Sequence, residues 1–195
     1  MRRTPIHHES HSSGILHSRL MPILACVIFS IFVIIAIINT FVSSKEYTAD
    51  IITHDVKKLA EILHTIDNDC GILSFDYQRN PINFLNTVSF VSSEVGPVNL
   101  VHPENWKGPY LQDNPTIQNK EYVIIRTKYG YFITPDNGVK LPNGKIIGTD
   151  ILINEDANIP EMMHDKDLLE YQGASLAVPL ELKRLSMPVL PFALD

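Results

Sequence analysis

The sequence predicts an α+β chain: a long N-terminal helix, apolar all round in its first half and amphipathic in its second, packed on a small antiparallel β-sheet. Three observations predict it. Residues 20–44, LMPILACVIFSIFVIIAIINTFVSS, carry no ionisable side chain apart from the Cys26 thiol. Residues 45–69 keep apolar side chains at helical spacing with neither Gly nor Pro among them. Beyond residue 120 the chain turns to short β-branched and aromatic runs parted by turn sequences.

Composition sets the outer limits. Of the 195 residues, a short tail and one apolar segment leave enough chain for a single small domain. A net charge of −6, from 22 acidic and 16 basic residues, supplies no basic patch for nucleic acid. The two cysteines, Cys26 inside the apolar segment and Cys70 well beyond it, do not make a disulfide scaffold. Cys70 is read either as a small buried hydrophobe or as a thiol free to pair between chains.

Residues 1–19 are polar, rich in His and Ser and without apolar periodicity, and read as a disordered tail. His7, His8, His11 and His17 are spaced too irregularly for a metal tract. Residues 20–44 then meet the length of roughly 20 apolar residues that a hydrocarbon core about 30 Å thick requires, and read as a transmembrane helix. Only a helix can satisfy that backbone in lipid, so its many Val and Ile residues do not argue for strand. Arg2, Arg3 and Arg19 before the span balance Lys45, Lys57 and Lys58 after it. The N-terminal amine and the histidines tilt the tally toward an N-terminus on the cytoplasmic side, with the C-terminal domain on the other side of the membrane. The rival reading, a cleaved secretory signal ending near Val42 and Ser44, has too long an apolar run.

Ile52, Val56, Leu59, Leu63 and Ile66 follow at steps of four and three, a single helical face, with Asp50, Asp55, Lys58, Glu61 and Asp69 largely elsewhere. Gly71 supplies the C-terminal stop. The span and this amphipathic helix, residues 45–69, read as one rod from 20 to 67, on the order of 70 Å long, or as two helices jointed at Ser43-Ser44. The soluble region, residues 70–185, holds most of the 13 prolines, which excludes further long helices. Residues 72–102 read as irregular. Residues 122–127 and 131–134 form a hairpin around Lys128-Tyr129-Gly130, and Pro135-Asp136-Asn137-Gly138 forms a turn. Further strands are expected over 139–141 and 145–153. The helical stripe is the natural cover for the apolar face of this sheet. A short helix over 161–172, an edge strand over 175–182 containing Pro179, and an extended tail over 186–195 complete the reading.

This order of elements resembles the type II secretion pseudopilins, the major pseudopilin in particular, and the related type IV pilins. Asn105-Trp106-Lys107-Gly108-Pro109-Tyr110-Leu111 is similar to the N-W-x-G-P-Y-L stretch that joins helix to sheet in the major pseudopilin, and Lys128-Tyr129-Gly130-Tyr131 lies about where that family has its Gly-Tyr strand. The resemblance implies a structural subunit that assembles with other pseudopilin-like chains through helix packing, and Trp106, Gly108, Pro109 and Tyr110 as loop-fixing residues. It places a processing site at Gly14-Ile15, where Arg19 stands in the fifth position in place of the family's glutamate. It also implies calcium, for which Asp136, Asn137, Glu155 and Asp156 are the candidates; Asp136-Asn137-Gly138 reads as a plain turn in preference to a calcium loop.

No G-x-S-x-G, H-E-x-x-H, P-loop or C-x-x-C pattern is present, so no enzyme is expected. His102 near Glu104 reads as a surface histidine, and Met162-Met163-His164 as helix packing in preference to a soft copper site. Two functions remain: a pseudopilin-like structural subunit, or a single-pass anchored binding module that does not polymerise.

Overall fold

The computed structural model describes residues 13–89 and 94–183. The first helix, α1, spans Ser13–Cys70 without a break, including Pro22 and the Ser43-Ser44 pair. Its start places the last residues of the expected tail, from Ser13 on, in helix; residues 1–12 and the expected tail over 186–195 lie outside the described residues. Gly71, at φ 68°, accepts the left-handed conformation that ends α1, and its N–H donates to the Asp67 carbonyl at 3.0 Å.

The chain divides between Ser44 and Lys45 into two compact units. The first is the apolar half of α1. The second is an α+β domain in which the amphipathic half packs on antiparallel sheets. The hairpin stands as expected: β6 (Lys120–Thr127) pairs with β7 (Gly130–Pro135) from Tyr122↔Pro135 to Thr127↔Gly130 around the Lys128-Tyr129 turn. On the outer side of β7 lies β10 (Val178–Leu180), an edge strand that tolerates Pro179 because no further strand needs its missing N–H.

Residues 72–89 and 94–102 are not irregular throughout. They supply β1 (Ile72–Phe75), β2 (Arg79–Pro81), β3 (Glu94–Val95) and β4 (Val98–Leu100). β1, β4 and β3 form a three-stranded sheet, while β2 adds to the far edge of β6, with Asn80 opposite Ile124. Strands of two to four residues show no periodicity of their own; long-range pairing makes them. A further short strand, β5 (Thr116–Ile117), turns back on β6 through Gln118 and Asn119, both at positive φ. Gln118 is held there by its carboxamide, which donates to the Lys140 carbonyl at 2.8 Å and accepts the Lys140 N–H at 2.9 Å.

The strands expected over 139–141 and 145–153 are instead isolated bridges, Lys140↔Ile146 and Ile147↔Ile151. The run is broken at Gly148, at φ 84°, where the Asp150 carboxylate accepts the Ile146 N–H at 2.8 Å. Val139, Leu141, Ile147 and Ile151 are buried all the same. The helix expected over 161–172 shrinks to one turn, α2 (Ile159–Met162), capped by Asn158. Asp165 then takes the Asp167 N–H, a local turn that competes with helix, and β8 (Glu170–Tyr171) pairs with β9 (Ala174–Ser175).

Candidate functional site

With no catalytic constellation expected, the functional features are the apolar half of α1 and the surfaces that fix the domain. Every residue of α1 from 21 to 44 is exposed, and it is apolar on all sides, with Phe29, Phe32, Phe41 and ten Ile or Val residues among them. The helix is long and apolar enough to cross a membrane. Gly14 and Ile15 lie in its first turn.

The amphipathic half behaves oppositely. Ile52, Val56, Leu59, Leu63 and Ile66 are 0–1% exposed and form the core with β6, β7 and the residues around them. Burying each such side chain contributes about 1.5–3 kcal/mol. The outward residues His54, Lys57, Lys58, Glu61, Thr65 and Asn68 are all exposed and polar. Two acids of α1 reach into the domain. Asp55 accepts the hydroxyl of the fully buried Tyr122 at 3.0 Å, and burial, aided by that carboxylate, pushes the Tyr122 phenol far above its ordinary pKa. Asp67 is buried at 5% exposure, its two oxygens accepting the Ile72 and Lys183 N–H groups at 2.9 Å each. It thereby ties the C-terminal segment to the end of α1.

The Asn105–Leu111 stretch clamps the loop beneath that end. Trp106 Nε1 donates to the Thr87 carbonyl at 2.8 Å, and the Trp106 and Tyr110 rings meet edge to face with centroids 4.8 Å apart. Gly108 has to be glycine: a Cβ there would stand 2.3 Å from Trp106 Nε1 and 2.5 Å from the Thr87 oxygen. Gly108-Pro109 is cis. The Tyr110 and Leu111 N–H groups both donate to the Leu85 carbonyl, at 2.9 and 3.2 Å. Asn105 Nδ2 donates to the Asp69 carbonyl, and Lys107 Nζ meets the Asp69 carboxylate at 2.9 Å, which raises the lysine's pKa. Trp106, Gly108 and Tyr110 thus lie in one hydrogen-bonded loop whose contacts run to Thr87, to Leu85 and, through Asn105 and Lys107, to the end of α1. No family model, curated protein or solved structure matches the chain.

The calcium candidates are arranged otherwise. Asp136 Oδ1 accepts Arg79 Nη1 at 2.7 Å and the Asn137 N–H at 2.7 Å, a turn closed on itself, while Asp156 meets Lys128 at 3.4 Å and Glu155 offers its carbonyl to the Lys128 N–H. Arg79 Nη2 also reaches the Ile153 carbonyl at 3.5 Å, so a guanidinium lies between Asp136 and the chain leading to Glu155. Among the described residues no three His, Cys, Asp or Glu side chains are gathered to hold a metal.

His102 pairs with Glu104 at 3.1 Å on the surface. Met162 and Met163 pack against the core while His164 is exposed. Cys70 is buried, and burial raises its pKa above the ordinary thiol value. Asp55, Asp67, Asn80 and Gln118 carried no sequence signal. An acid in the last turn opposes the helix dipole, so Asp67 reads as solvated until its two N–H partners are seen.

Proposed function

We propose that the chain is a membrane-anchored, non-enzymatic structural subunit resembling a pseudopilin, working in a type II secretion or pilus-like assembly. One observation carries the reading: a single helix, Ser13–Cys70, is apolar all round over residues 21–44 and packs its later part into the core of a small α+β domain. The Trp106–Gly108–Tyr110 clamp under the end of that helix adds to it. The N-terminus is cytoplasmic in this reading and the domain faces the periplasm or the exterior. The experiment is alkaline extraction of membranes followed by intact mass of the retained chain. Retention with a new N-terminus at Ile15 is expected, and release into the supernatant overturns the proposal.

The second reading, an anchored module that does not polymerise, is favoured by a specific observation. The outward face of the amphipathic half is polar, and its apolar stripe is consumed within the domain. Retention with an uncleaved N-terminus points to this module.

A further inference from the structure

Within residues 21–41 one amide or hydroxyl side chain has no partner in its own chain among the described residues. Within residues 21–41 the hydrogen-bonding side chains other than the Cys26 thiol are Ser30, Asn39 and Thr40. Ser30 Oγ donates to the Cys26 carbonyl at 2.8 Å and Thr40 Oγ1 to the Ala36 carbonyl at 2.9 Å, so both hydroxyls are satisfied inside their own helix. Asn39 is exposed, and its carboxamide bonds nothing in the chain among the described residues. A hydrocarbon core about 30 Å thick centred on residues 20–44 leaves Asn39 on the order of 10 Å from the mid-plane at 1.5 Å per residue, inside the lipid. A carboxamide there is costly without a partner.

A carboxamide is its own complement, since it both donates and accepts. Two parallel copies related by a twofold axis can pair Asn39 with Asn39, each Nδ2 donating to the other's Oδ1. The surrounding pattern suits such a contact. Ala25, Phe29, Phe32, Ala36, Asn39 and Ser43 recur at steps of four and three, the spacing of a helix–helix seam, and the small Ala36 and Ser43 on either side of Asn39 permit close approach. The domain offers α1 no competing seam, because its own helical stripe is already buried.

We infer that residues 25–43 form the seam of a parallel homodimer in the membrane, with Asn39 as its hydrogen-bonded pair; this rests on the membrane-anchored reading above. The test uses the full chain in phosphatidylcholine vesicles, with energy transfer between labelled copies followed as lipid dilutes them. Asn39→Leu is expected to weaken the dimer about three- to tenfold, with Asn39→Gln retaining it and Thr40→Val leaving it unchanged. In a Cys26→Ala background that keeps Asn39, Ala36→Cys and Ser43→Cys are expected to crosslink on oxidation, and Ile34→Cys and Phe41→Cys, on the opposite face, are not. A monomeric wild type, an Asn39→Leu chain that associates as wild type, or equal crosslinking on both faces overturns the inference. If the monomer stays in the membrane pellet on alkaline extraction, the anchored reading survives; if it is released, both fall.

Discussion

The two halves of α1 draw on the same apolar residues, Ile, Val, Leu and Ala, but use them in opposite ways. Between residues 21 and 44 they are distributed all round the helix and all are exposed. Between 45 and 70 they gather on one face and vanish into a core, where Ile52, Val56, Leu63 and Ile66 are each 0% exposed. Distribution, more than hydrophobicity, separates the two: an all-round apolar helix asks for an apolar solvent, and a striped one asks for water on one side and a domain on the other.

Truncating an apolar side chain on each side of Ser44 sharpens the contrast most. Leu63→Ala is expected to destabilise the domain by about 2–5 kcal/mol in thermal unfolding of the full chain in micelles, through lost transfer energy and the cavity left behind. Ile34→Ala is expected to leave that transition in place; a matching loss would erase the distinction. Gly108→Ala follows, at about 1–3 kcal/mol, because its Cβ must displace Trp106 from the Thr87 carbonyl. Trp106 is the only tryptophan, so its emission reports the displacement directly.

The smallest effect belongs to Tyr122→Phe, about 1 kcal/mol from loss of the hydroxyl donated to Asp55. It has a pH signature. The folded phenol keeps its proton well above its ordinary pKa, so the unfolded chain ionises first as pH rises. The stabilisation is therefore complete below about pH 10 and is lost progressively above it. Denaturant unfolding across that range should show a steeper alkaline loss in wild type than in Tyr122→Phe.

What the sequence disclosed depended on the range of the interaction responsible. The long apolar helix, its amphipathic continuation and the β6–β7 hairpin depend on spacing within a few residues, and all three elements are present where the spacing put them. The Asn105–Leu111 stretch was singled out in the sequence, but the partner of Trp106, the Thr87 carbonyl nineteen residues before it, was not legible. β1, β2 and β4 were hidden because each exists only through a distant partner, as Asn80 opposite Ile124 shows. The expected strand over 145–153 failed for a local reason, the Gly148–Asp150 turn, which apolar content alone concealed. The calcium candidates were read from residue type, and type could not reveal that Arg79 already engages Asp136.

The most direct test of the contrast is cysteine labelling with a water-soluble maleimide in intact vesicles carrying the full chain, in the Cys26→Ala background that leaves Cys70 buried. Ile31→Cys and Ile34→Cys should resist the reagent until detergent is added, while Lys57→Cys and Glu61→Cys should react at once when the domain faces outward. Equal reactivity of the two pairs in vesicles would contradict the account, because it would put both halves of α1 in the same solvent.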